Sequence, residues 1–129
     1  MKLKLLILTL ALTLASTLIT LAATRELLED GTVVIDTTDI AEDITGYGDS
    51  TPLKVYIKDG VIKSIEYLKN NETQMFFEEA IEALTPKWIG KRVEMAANEY
   101  VDVVSGATYS SQAVIETLQR AMQYEINAD

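Results

Sequence analysis

Leu53-Lys-Val-Tyr-Ile-Lys58, then Asp59-Gly60, then Val61-Ile-Lys-Ser-Ile-Glu-Tyr-Leu68 is the stretch that decides the fold. The first run alternates, with Leu53, Val55 and Ile57 on one face and lysines on the other. The second places Val61, Ile65 and Tyr67 on one side. Between them stands Asp-Gly, a pair that tolerates the positive φ angles of a tight hairpin turn. The reading is an antiparallel hairpin with one buried face, and such a face needs a cover. Thr32–Thr37 (TVVIDT) is β-branched and reads as a further strand.

The cover is helical. Over Glu72–Leu84, Phe76, Phe77, Ala80, Ile81 and Leu84 recur at helical spacing, with Glu78, Glu79 and Glu82 outward. Thr85-Pro86 predicts a stop, with Pro86 opening a second segment that carries Trp88, a core or groove aromatic, and ends at Gly90. Val93–Ala97 reads as another helical turn and Tyr100–Val104 as a short strand. Ser110 or Ser111 is expected to cap a final helix reaching about Glu125, with Val114, Leu118, Ala121 and Met122 as its apolar stripe. Arg25–Asp30 reads as a polar linker, and Gly46-Tyr-Gly48 and Thr51-Pro52 as turns. The fold class is α+β: one domain over 25–129, with a small antiparallel sheet and flanking helices.

That domain follows a leader over 1–24. Lys2 and Lys4 precede Leu5–Thr24, twenty uncharged residues. As a helix they span about 30 Å, the thickness of a bilayer core. Small residues at Thr20, Ala22 and Ala23 suit a cleaved signal peptide, and the length suits an uncleaved transmembrane anchor. Either way the basic flank stays in the cytoplasm and the domain lies outside the cytoplasmic membrane of a bacterium.

Composition closes off much chemistry. The 129 residues hold 11 Lys+Arg against 20 Asp+Glu, a net charge of −9, and without the leader's two lysines it is −11. Such a surface repels nucleic acid. There is no His and no Cys, which excludes Cys/His zinc sites, thiolate-held clusters, disulfides, and His-based nucleophile pairs. A lipid-modified cysteine anchor is excluded too. Asp36, Asp39, Glu42, Asp43 and Asp49 read as a solvated acidic loop, because the D-x-D-x-D-G spacing of a calcium loop is absent. No metal site is expected.

One segment carries chemistry. Tyr100–Val104, then Ser105-Gly106-Ala107-Thr108, then a helix is the strand, small-residue turn and helix start that favours phosphate: backbone amides approach an anion closely, and the helix start adds free N–H groups. Ser105, Thr108 and Ser110 bring three hydroxyls there, and Asp102 stands three residues before Ser105. By spacing alone an ordinary turn with a serine cap fits equally well. The lysine of a nucleotide-hydrolase phosphate loop is missing.

Asp102-Val-Val-Ser-Gly-Ala-Thr108 resembles the flavinylation motif D-x-x-[ST]-G-A-[ST] of the FMN-binding domain family. That family includes the G subunit of Rnf complexes and the C subunit of the sodium-translocating NADH:quinone reductase. Gly46-Tyr-Gly48, Pro52–Gly60, Ile65, Glu72-Thr73 and Ser110–Ile115 stand in the family's order, so the resemblance runs from about Gly46 to Met122. It implies FMN held covalently through a phosphoester to Thr108. A flavin transferase using FAD and a divalent cation would attach it, with Asp102 needed for recognition. It also implies cofactor contacts from Ser105, Gly106, Ala107, Ser110, Glu72 and Thr73. Gln74-Met75 replaces a Pro-Gly common in the family. The implied function is an extracytoplasmic electron carrier serving redox partner proteins, with any iron–sulfur or quinone-linked centre in membrane subunits, rather than a stand-alone enzyme. Two other readings stand beside it. An exported, cofactor-free interaction module with an acidic surface leaves the Asp102–Thr108 segment unexplained. An acid–base enzyme using Glu72 lacks a paired carboxylate.

Overall fold

The computed structural model describes residues 24–128; the apolar run up to Ala23 lies outside the described residues. Strands β1 (Arg25–Leu27), β2 (Val33–Asp36), β3 (Leu53–Lys58) and β4 (Val61–Tyr67) form one antiparallel sheet in the order β1-β2-β3-β4. Helices α1 (Gln74–Trp88), α2 (Val93–Asn98) and α3 (Thr108–Ile126) follow. Among the described residues no helix is long and apolar enough to cross a membrane.

The hairpin forms as its sequence dictates. Asp59 and Gly60 take φ of 54° and 74°, the pair of positive angles the tight turn requires. Leu53, Val55 and Ile57 are buried. The return strand departs from simple alternation. Tyr56 pairs with Ser64 but Ile57 pairs with Ile62, so Lys63 is an extra residue, a β-bulge. The bulge exchanges the inward side, and fully buried Ile62, not Val61, joins the core.

All three helices share one core with the sheet. Ile35, Leu53, Val55 and Ile57 meet Phe77, Leu84 and Trp88 of α1, Val93 and Ala96 of α2, and Val114, Leu118, Ala121 and Met122 of α3. Each fully buried large aliphatic side chain contributes about 1.5–3 kcal/mol. The final helix's expected stripe is therefore the one it buries. Tyr67 packs edge-on against Phe77, ring centroids 5.9 Å apart, and its hydroxyl lies 2.6 Å from Thr85 Oγ1. Burial pushes the Tyr67 phenol above its ordinary pKa, and the Thr85 bond opposes that.

Four expectations are corrected. The Arg25–Asp30 linker begins with an edge strand, Arg25 opposite Ile35, and Arg25 Nε donates to Glu125 at 2.9 Å. Pro86 neither stops α1 nor opens another helix: α1 runs through it to Trp88. The proline lies in the last turn with its ring exposed, and complete burial of Trp88 holds that turn. Tyr100–Val104 forms no strand. Its β-branched residues have no ladder partner; Val101 and Val104 lean on the core while Tyr100 and Val103 face solvent. Finally, α3 starts at Thr108, and neither Ser110 nor Ser111 caps it.

The acidic loop uses two of its carboxylates locally and a third against α3. Asp36 accepts the Thr38 amide at 2.9 Å, Asp49 the Ser50 amide at 2.8 Å, and Asp43 pairs with Arg120 of α3.

Candidate functional site

The segment before α3 is shaped by its own backbone. Gly106 has φ of +87°, a conformation that a β-carbon makes costly. The Ala107 amide donates to Val104 O at 3.0 Å, closing the turn. Ser111, one turn into the helix, reaches back: its hydroxyl accepts the Val104 amide at 3.0 Å and donates to Thr108 O at 3.1 Å. Ser110 turns the other way and donates to Glu72 Oε1 at 2.8 Å. Both serine hydroxyls are thus used elsewhere, and the N-cap residue Ala107 has no capping side chain. The first N–H groups of α3 have no intrahelical acceptor.

A second helix ends at the same place. The N-cap of α1 is Thr73, also without a side-chain cap bond, and neither helix carries an acidic residue in its first turn. Two positive dipole ends therefore meet, and the buried Glu72 carboxylate, one residue before Thr73 and hydrogen-bonded to Ser110, lies beside both.

Between them is a cavity of ≈ 280 Å³. Gly106, Ala107, Thr108, Tyr109 and Ser110 form one side. Thr73 and Phe76 of α1 form another, and Tyr47 closes it from the glycine-flanked turn. Three of these are large aromatics left open to solvent: Tyr47 is 76% exposed, Tyr109 65% and Phe76 41%. The rings of Tyr47 and Tyr109 lie 6.2 Å apart at an interplanar angle of 53°. Exposed aromatics gathered around two free helix starts suit a ligand with a flat ring system and an anionic end. No Lys or Arg lines the cavity. Glu79 faces the turn, its Oε1 4.0 Å from where a Gly106 β-carbon would stand.

The residues singled out from the sequence divide into three groups. Thr108, Gly106, Ala107, Ser110 and Thr73 come together at the cavity. Glu72 stands behind its wall, buried, with its carboxylate occupied by the amides of Tyr47 and Gly48 and the hydroxyl of Ser110. Ser105 and Asp102 lie on the exposed approach to the turn. Sequence reasoning missed Tyr47, Phe76 and Tyr109. Phe76 was counted into the core stripe, yet it sits one residue round the helix from buried Phe77. The signal for Tyr47 was its place between two glycines, where no packing partner is nearby in sequence.

Among the described residues no group of three or more carboxylates is placed to hold a metal ion. The cavity holds hydroxyls, amides and aromatic rings, and no acid–base pair lines it. It can bind and orient a ligand.

Comparison with curated proteins gives no match. The profile of the FMN-binding domain matches residues 46–123, more than half of the chain and a span that contains every residue lining the cavity. The chain belongs to the FMN-binding domain family, and that membership supports flavin binding.

Proposed function

We propose that this protein is an extracytoplasmic electron carrier that holds FMN covalently through a phosphoester on Thr108. The observation that carries the reading is the position of Thr108: it is the first residue of α3 and it lines the cavity beneath two helix starts that have no side-chain cap. Thr108 Oγ would become the ester oxygen: with FAD as the donor on the flavin transferase, the Oγ–P bond would form as the pyrophosphate bond of FAD breaks, AMP would leave, and the hydroxyl proton would be released. The backbone amides of the first α3 turn would then face the phosphodiester charge. Tyr47, Tyr109 and Phe76 would flank the isoalloxazine ring and keep it partly in solvent, where a partner protein can approach.

FMN supplies the conversion between two-electron and one-electron transfer. The chain's own contribution is to tether, orient and partly shield it. A tether suits a protein working outside the cytoplasm, where a released cofactor is lost. Asp102, exposed beside the turn, is accessible for recognition by a flavin transferase. Redox partners in a membrane-associated complex would supply and remove the electrons.

The test is co-expression with and without a flavin transferase, followed by denaturing electrophoresis. A fluorescent flavin band that survives denaturation only with the transferase is expected. Its absence, with a competent transferase present, overturns the covalent reading.

A further inference from the structure

Glu72 is a buried carboxylate, 8% exposed, and no ion pair reaches it among the described residues. Its charge is met by three donors. Oε1 accepts the Tyr47 amide at 2.9 Å and the Ser110 hydroxyl at 2.8 Å, and Oε2 accepts the Gly48 amide. A carboxylate so enclosed is held by hydrogen bonds alone.

The donors come from two segments, the 46–48 turn and the start of α3, and these two and the segment of Glu72 itself each carry a wall of the flavin cavity. Tyr47 is itself one wall. Thr73 directly follows Glu72, and Phe76 lies four residues after it. Thr108 and Tyr109 directly precede Ser110. No strand ladder ties the 46–48 turn to either helix. The turn closes on itself through the Gly46 amide to Asp49 O at 3.0 Å. Its approach to Glu72 depends on glycine, since a β-carbon on Gly46 would stand 2.1 Å from Glu72 Oε1.

We propose that Glu72 is a positioning residue that sets the width of the flavin cavity by holding the Tyr47 turn against α1 and the start of α3, without touching the flavin. This rests on the flavin reading for its function but not for its geometry. The chemistry demands a group that only accepts. All three partners donate, and a carboxylate accepts from both oxygens. Glutamine has the same shape, but its NH2 group would face the Gly48 amide, or, if flipped, the Tyr47 amide. Two donors then oppose each other.

The test uses the full chain in detergent with two variants, Glu72→Gln and Ser110→Ala. Hydrogen exchange of the peptide spanning 46–49 is read beside core peptides from β3 and the middle of α3, and FMN is titrated by fluorescence quenching. In Glu72→Gln the 46–49 amides are expected to exchange about tenfold faster or more, with the core peptides unchanged, and the FMN Kd to rise about tenfold. Ser110→Ala, which keeps both backbone donors, is expected to raise the Kd about three- to fivefold. Unchanged exchange and unchanged Kd in Glu72→Gln overturn the proposal. Lost FMN binding with unchanged exchange also overturns it, because Glu72 then acts on the flavin directly. If Glu72→Gln exposes the core peptides as well, Ser110→Ala decides by the same two readings. If the parent chain neither binds free FMN nor is flavinylated by a competent transferase, the flavin reading fails alone, and exchange then judges the clamp.

Discussion

Ser111 and Val104, seven residues apart, are joined by a side-chain bond: the serine hydroxyl accepts the Val104 amide at 3.0 Å and so ties the irregular segment before α3 to the first turn of that helix. The same hydroxyl donates to Thr108 O at 3.1 Å. Ser111→Ala leaves a half-buried amide without its acceptor, at a cost of about 1–3 kcal/mol. Thermal unfolding should show a midpoint about 4–8 °C lower for each kcal/mol lost. Limited proteolysis should cut faster between Glu99 and Ala107. An unaltered cleavage pattern would mean the segment is held by other contacts.

Thr108 is expected to be the sole attachment point. Thr108→Ala should fold with an unchanged unfolding midpoint, because the side chain is exposed, and should carry no covalent flavin. Thr108→Ser should retain some. Mass spectrometry of the peptide containing Ser105, Thr108 and Ser110 decides, and an FMN adduct on either serine refutes the assignment.

Asp102→Ala should abolish attachment without unfolding the domain. Asp102 is exposed, and its removal is expected to change stability by about 0.5 kcal/mol or less. Attachment at the parent rate would show that the carboxylate has no part in recognition.

Gly46→Ala should weaken both the fold and the cavity. The new methyl group would overlap the Glu72 carboxylate at 2.1 Å and meet the Ala113 side chain at 3.3 Å. Forcing a methyl into packed surroundings costs about 1–3 kcal/mol. Urea unfolding with an unchanged slope and a lower midpoint is the expected result, together with weaker FMN binding.

Acid should loosen the link between α3 and the loop after β2. The Arg120 guanidinium beside Asp43 holds its carboxyl below the ordinary value of 3.8. A carboxylate whose pKa is depressed on folding contributes stability above its unfolded pKa and loses it as pH falls through the folded one. Arg120→Gln should therefore reduce stability at neutral pH, and the two proteins should converge well below pH 3.8. Both side chains are largely exposed, so the difference should also shrink in high salt. A gap that persists at low pH would point to the Arg120 bond to Ile40 O, 3.2 Å long, instead of the ion pair.

The hairpin was legible because its signals are local. Alternation and an Asp-Gly pair act over a short run of sequence, and the α3 stripe from Val114 to Met122 repeats over about two and a half turns. The Lys63 bulge was not legible, since one inserted residue leaves the composition of β4 unchanged while reversing which side Ile62 faces. Tyr100–Val104 misled for the opposite reason. Its β-branched residues satisfy local propensity, but a strand also needs a partner, and none of the four strands pairs with this segment. At the site, Gly106, Thr108 and Ser110 were readable from a strongly patterned segment. The bonds from Tyr47 and Ser110 to Glu72 span 25 and 38 residues, and no local pattern encodes such distances.

The extra residue at Lys63 also bears on how the protein behaves among its own copies. An open sheet offers its outermost strands as templates for pairing with another chain. Along β4, Ile62 is already engaged on its outer side: its amide donates to Lys91 O at 2.9 Å, and its carbonyl accepts the Gly90 amide at 2.8 Å. Beyond it the bulge bends the strand, and Lys63 and Glu66 present charges to solvent. The opposite margin, β1, is three residues long. A sheet built this way gives a neighbour little straight backbone to add to, which opposes edge-to-edge aggregation where many copies are crowded together.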